Sequence, residues 1–300
     1  MLWLYLPKYL KGGKIPKLDF RIHLLPILLL FIPQITNKLY NLLDTTMLGA
    51  IVADKSETGF YEQSQKVIRV LLTIVTSLGV VMIPRVANTF KNGNKKQINS
   101  YIKNSFNFVF IISFPMMFGI ALVADAFVPI FFGQGYEKSA LLIKIFCPML
   151  ILMGIENVIG TQYLLPTKRQ KEYTISVAIG VVVNLILNFI FINLWQSIGA
   201  AISTIISQIV VDGIQIYFVR KDIKWKSIIQ LFVKYLFASV IMFGICYLTN
   251  FIIETGIVSI ILKCVVGVLI YLIMLLLLKD KFLYKIIDTI KGKFLELKGT

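Results

Sequence analysis

The chain has 300 residues, 57% of them hydrophobic and 15% charged, and a mean hydropathy of +0.81. A soluble domain of this length carries about 45–50% apolar and about 25% charged residues, so the composition excludes an ordinary water-soluble enzyme and points to lipid as the solvent. A net charge of +16 would suit a nucleic-acid partner, but its placement along the chain assigns it to membrane topology.

Runs long enough to cross ~30 Å of hydrocarbon recur at 22–52, 60–84, 104–124, 139–163, 174–195, 198–219, 229–249 and 257–278. They predict an all-α integral membrane bundle of eight transmembrane helices. The alternate connections 7–21, 85–103, 164–173, 220–228 and 279–300 hold most of the 31 Lys and Arg residues, whereas the intervening ones hold only Lys55 and Lys138. That asymmetry marks a cytoplasmic face. It places both the segment before residue 22 and the C-terminal tail inside, in a multi-pass protein of the cytoplasmic membrane.

Residues 1–6, MLWLYL, run into Pro7 and a basic segment. They are too short to span and lack the pattern of a signal peptide. They read as the last turn of a helix whose earlier part is absent, or as a short interfacial anchor. The first span opens at His23, the only histidine, so no Cys/His metal cluster is expected. At 100° per residue, its Gln34, Asn37, Lys38, Asn41, Asp44 and Thr45 fall in an arc of about 120°. In 60–84, Glu62, Gln65, Lys66, Arg69, Thr73, Thr76 and Ser77 gather in a similar arc. A charge at the bilayer centre costs at least ~2.5–3.5 kcal/mol on insertion scales, so such faces turn toward a bundle interior or water. Two adjacent striped helices therefore predict a hydrated cationic groove. An i,i+4 pair between Glu62 and Lys66 would account for part of the charge, leaving Lys38 and Arg69.

Later spans are plainer. Pro26, Pro33, Pro115 and Pro148 interrupt helical ladders inside spans. The FFGQGY segment, with Gly133 and Gly135, reads as an outside turn. Glu156 lies deep in 139–163. Asn184 and Asn188 share a face, as do Thr204, Gln208, Asp212 and Gln215, as interhelical glue or as part of a transport path. Lys144, Lys234 and Lys263 are placed to snorkel. Cys147, Cys246 and Cys264 lie in apolar runs without CxxC spacing and read as packing residues. No Walker loop, dinucleotide fingerprint or GxSxG is present, so neither catalytic residues nor a cofactor is expected.

Residues 25–90 carry LDTTMLG (Leu43 to Gly49), GFYEQSQKV (Gly59 to Val67) and TSLGVVMIPRVANTF (Thr76 to Phe90). This stretch resembles the polysaccharide-repeat-unit flippases, in the superfamily that also holds multidrug antiporters and lipid II flippases. The likeness extends in order over the remaining spans. It implies a MATE-like transporter of two six-helix lobes, with 22–219 as the second lobe, 220–278 as two additional C-terminal helices, 1–21 as a helix stub and loop, and 279–300 as a basic tail. The first lobe would be a missing partner, supplied elsewhere; a non-functional gene remnant is the other reading of that absence. The implied activity is export of a polyprenyl-diphosphate-linked oligosaccharide for capsule or O-antigen synthesis, with a cation-coupled multidrug antiporter as the alternative. Lys38, Lys66 and Arg69 would meet the diphosphate, and Gln34, Asn41 and Gln65 the sugar. Asp44, Glu62, Glu156 and Asp212 are the candidates for H+ or Na+ coupling.

Overall fold

In lipid, a backbone without water must satisfy its own hydrogen bonds, which leaves apolar runs of this length to be helices. The structure is a computed structural model that describes residues 42–248 and 256–284, and among these it is helical, with no strand. The elements are α1 (Leu42–Ile51), α2 (Ser56–Thr76), α3 (Leu78–Lys91), α4 (Lys95–Phe132), α5 (Glu137–Phe146), α6 (Met149–Glu156) with a wider π-turn segment Asn157–Leu164, α7 (Gln170–Val219), α8 (Trp225–Leu248) and α9 (Ile257–Leu277). The predicted first span contributes α1; Gln34, Lys38 and Asn41 lie outside the described residues.

Several predicted boundaries change, each for a local reason. The 60–84 run becomes α2 and α3, bent by 41°. At the break, Thr76 donates to the Leu72 carbonyl and Ser77 to the Ile74 carbonyl, and such back-bonding bends helices. The 104–124 run is the middle of α4, whose 38 residues reach ~57 Å at 1.5 Å each. Its extra N-terminal turns start from Asn94, which accepts from the Gln97 amide at 3.1 Å. The 139–163 run divides at Cys147–Pro148 between α5 and α6, as the proline requires.

α7 holds 50 residues around one non-helical position, Gln196, with φ 54° and ψ −127°. The chain folds back there. Gly199 lies against the Phe191 backbone carbonyl, and Gly180 leaves only enough room for the Val211 side chain. The two arms, 170–195 and 197–219, are therefore antiparallel spans packed through small residues, where the sequence predicted two spans at 174–195 and 198–219.

α8 and α9 pack beside α4, where Phe232 meets the rings of Phe110 and Phe114 at 5.5 and 5.0 Å and Tyr271 donates to the Ile111 carbonyl at 3.0 Å. Val182, Ile186, Phe189, Val265 and Leu269 are exposed, as lipid-facing positions should be. Lys263 does not snorkel. It is buried beside an apolar cavity of about 420 Å³ between α4, α8 and α9. Lys144 and Lys234 end in ion pairs with Asp125 and Asp280, each at 2.5 Å. Cys147 and Cys246 are buried, Cys264 is exposed, and all three are free thiols.

Candidate functional site

α2 carries Tyr61, Gln65 and Arg69 one turn apart, so the three side chains stack along one edge of the helix. They form a continuous line. Arg69 Nη2 donates to Gln65 Oε1 at 2.5 Å, Gln65 Nε2 donates to the Tyr61 hydroxyl at 3.0 Å, and that hydroxyl donates to Asp44 Oδ2 at 2.7 Å. Tyr61 is fully buried, its ring held edge-on to Phe146 at 5.3 Å.

Asp44, fully buried on α1, gathers donors from both arms of α7. Thr204 donates to Oδ2 at 2.8 Å and Asn188 Nδ2 to Oδ1 at 2.6 Å. Asn188 Nδ2 also reaches Asn184 Oδ1 at 3.2 Å, while Asn188 Oδ1 and Asn184 Nδ2 are buried without partners. Among the described residues no Lys or Arg makes an ion pair with Asp44. A buried carboxylate surrounded only by neutral donors is the environment in which a proton or a small cation is taken up.

The other end of the line opens into a cavity of about 330 Å³, lined by Gln65 and Arg69 of α2, Glu156 of α6, and Thr204, Gln208 and Val211 of α7, with Phe146, Met149 and Met153 supplying apolar wall. Asp212 is buried one turn beyond Gln208, whose Nε2 donates to Asp212 Oδ1 at 3.2 Å. The structure thus brings Gln65, Arg69 and Glu156 to one cavity, with Asp44 and Asp212 each one hydrogen bond behind its wall. Glu62 and Lys66 are exposed on α2, do not line the cavity, and form no ion pair among the described residues. Sequence reasoning did not single out Tyr61, although it stood inside the quoted GFYEQSQKV. It noted Asn184, Asn188, Thr204 and Gln208 only as glue or path.

Both ends of the bundle are tied by charge. At the end poor in Lys and Arg, Glu57 takes Lys138 Nζ at 2.6 Å and Ser197 Oγ at 2.5 Å. At the basic end Arg169 pairs with Glu172 and with Asp222, the latter at 2.6 Å. Burial pushes the Arg169 pKa down, but these two carboxylates outweigh it and hold it above its ordinary value. Among the described residues no group of three His, Cys, Asp or Glu side chains could hold a metal ion.

Membrane-length helices in a bundle around a largely apolar cavity that bears an arginine and a glutamate define a multi-pass membrane protein with transporter architecture. The family profile described as MurJ, lipid II flippase, matches residues 7–267, and the chain belongs to that family. It is 24% identical over 182 residues to the lipid II flippase MurJ of Bacillus subtilis (57% of this chain, 33% of that protein). It is also 24% identical over 193 residues to a putative O-antigen transporter of Escherichia coli (64% and 46%). Its fold matches a solved lipid II flippase MurJ in an inward closed conformation at TM-score 0.74 and 19% identity, covering 93% of this chain and 59% of that one. An outward-facing MATE-family multidrug resistance transporter matches at TM-score 0.58 and 17% identity, covering 72% and 51%. At these identities the structural likeness establishes the fold, which is the predicted MATE-like one. The superfamily expected from the sequence is also the right one. The chain spans between a third and a half of the length of these curated relatives.

Proposed function

We propose that the chain forms the flippase lobe that grips the anionic linkage of a polyprenyl-diphosphate-linked oligosaccharide and helps carry it across the cytoplasmic membrane for surface polysaccharide synthesis. The observation that carries this reading is Arg69, placed in a cavity with amide and hydroxyl groups and wired through Gln65 and Tyr61 to a buried carboxylate. A diphosphate needs a fixed cation, and guanidinium suits phosphate geometry. A sugar needs donors and acceptors of the kind Gln65, Thr204 and Gln208 offer. In this reading the exposed stripe of Glu62 and Lys66 faces a complementary helical lobe. Transport then requires that lobe, and the two rock against each other around the substrate. The spans up to residue 219 form one lobe, and α8 and α9 are the additional pair. The basic end is cytoplasmic.

Asp44 is the favoured coupling group among Asp44, Glu62, Glu156 and Asp212. If the Asn188 amide turned over, its oxygen would join Asp44 Oδ1 and Asn184 Oδ1, giving three oxygens for H+ or Na+ in place of the present donor. Arg69 on the cavity wall weighs against the drug-antiporter reading, since a fixed cation repels a cationic drug, and among the described residues Phe146 is the one ring there.

The test is surface polysaccharide in a flippase-null cell supplied with the complementary lobe, measured beside membrane protein level. Loss of a charged hydrogen bond of about 1.5–3 kcal/mol predicts at least a roughly tenfold fall in export for Arg69→Gln. Asp44→Asn flattens the dependence on the ion gradient. Wild-type export from both Arg69→Gln and Lys38→Gln refutes the proposal.

A further inference from the structure

Two acidic side chains remain that the substrate line does not use. Glu156 ends α6, at the point where the helix widens into the π-turn segment Asn157–Leu164, and its side chain borders the cavity. Wide turns of this kind are frequent at functional sites, because they re-aim the residues beside them. Asp212, on the second arm of α7, is 4% exposed. Gln208 satisfies its Oδ1 at 3.2 Å, while its Oδ2 is buried with no partner. Glu156 and Gln208 border the same cavity, and Gln208 holds Asp212 behind that wall, which brings the two carboxyls near enough to repel each other when ionised. Tyr173, from the first arm of α7, hydrogen-bonds Glu156. Among the described residues, the charged or titratable groups facing the pair are Arg69 of α2, on the same cavity wall, and Tyr173. Neither carboxyl takes part in an ion pair among the described residues.

We propose that Glu156 and Asp212 form a shared proton-binding site that opens on the cavity. Two carboxylates in one low-dielectric site cannot both stay ionised without a compensating cation, and the least costly state of such a pair holds one proton between them. Its neighbours suit a proton better than a metal ion. A metal ion would need more oxygen ligands than the pair provides. The site also deepens the flippase reading, on which this last step rests. An anion held at Arg69 puts negative charge into the cavity that Glu156 borders and so draws a proton onto the pair. By linkage, the loaded proton tightens the anion's hold equally. The proton comes from cavity water and returns to it when the anion leaves.

The experiment uses the purified chain in phosphatidylethanolamine–phosphatidylglycerol vesicles. Infrared difference spectra of the protonated-carboxyl band are recorded as pH is stepped across the range to which burial and a like charge move a carboxyl. The wild type should show one protonated carboxyl near neutrality that is absent from Glu156→Gln/Asp212→Asn; Asp44 is common to both and cancels. Each single substitution should abolish the band or move its midpoint by at least about tenfold in proton concentration, because the repulsion is gone. Identical spectra from wild type and the double variant overturn the site, as do unmoved midpoints in both single variants. Discharge of the band by sodium at constant ionic strength would make it a cation site and also overturn the proposal. Inorganic pyrophosphate should raise the wild-type midpoint but not that of Arg69→Gln, and no shift overturns the link to Arg69. Normal spectra with failed export count against the flippase reading alone, because the band is read without transport.

Discussion

The Tyr61 hydroxyl is the joint between the cavity and the buried carboxylate, and Tyr61→Phe removes that oxygen alone. The ring stays edge-on to Phe146, so no void opens. One hydrogen bond to a charged acceptor is lost, the 2.7 Å contact to Asp44, worth about 1.5–3 kcal/mol. Gln65 Nε2 loses its acceptor as well, but Gln65 borders the cavity. Water can replace that contact, leaving about 0.5–1.5 kcal/mol. The expected loss is about 2–4 kcal/mol, or roughly 30- to 1,000-fold in the folding equilibrium. It is measured as the fraction of purified protein that remains monodisperse after heating, over a temperature series. Tyr61→Phe and Asp44→Ala should not add, because each removes the same bond, and their interaction energy should exceed about 1 kcal/mol. A Tyr61→Phe protein that melts with the wild type, or costs that simply sum, would refute the reasoning.

Gly180→Ala places a methyl against Val211 where the two arms of α7 meet. It should cost about 1–3 kcal/mol by overpacking, and Val211→Ala in the same chain should restore much of the melting midpoint. Asp280 ties the end of α9 to α8 by accepting from Lys234 Nζ at 2.5 Å, Tyr235 at 2.9 Å and the Leu283 amide at 2.8 Å. Burial pushes its pKa up, but the Lys234 contact, the Leu283 amide and Tyr235 outweigh it and hold it below the usual carboxylate range. A depressed carboxylate adds stability that is complete above its unfolded value and is lost as pH falls through the folded one. Tyr235 fluorescence or protease accessibility of the α8–α9 pair should therefore stay flat from neutrality to about pH 4 and change only below it. An alteration between pH 7 and pH 5 would contradict this. In a background lacking Cys147, Cys246 and Cys264, cysteines at Ser56 and Asn94 should label from opposite faces of intact cells; labelling from one face would overturn the orientation.

How much of this was legible in the sequence depends on the range of the interaction. The helix order, the hairpin at Gln196 and the break at Pro148 come from hydropathy and backbone chemistry within a few residues, and the sequence shows them, whereas Pro115, also expected to interrupt a ladder, lies inside the continuous helix α4. The bend at Ser77 was local too, but its signal, two hydroxyls that return to their own helix, was read as part of a polar face. The stripe on α2 held both kinds of residue. Its arc is wider than the strip a neighbouring helix covers, so Gln65 and Arg69 reach the cavity while Glu62 and Lys66 stay exposed. Spacing within one helix cannot separate them. The Asp44 network was the least visible part, because its bonds join residues 17, 144 and 160 positions apart. Asn184 and Asn188 show by their spacing that they share a face, and Thr204 shows the same with Gln208. Only the fold shows that these two faces converge on one carboxylate. The costs run the same way. A lone polar residue in lipid needs a partner within reach, and each amide or hydroxyl on these spans signals that a partner exists without saying which. Tyr61 went unread because a tyrosine beside Phe60 reads as a ring for packing. Its second use, a hydroxyl joining cavity to carboxylate, has no sequence pattern of its own and arises where α1, α2 and both arms of α7 meet.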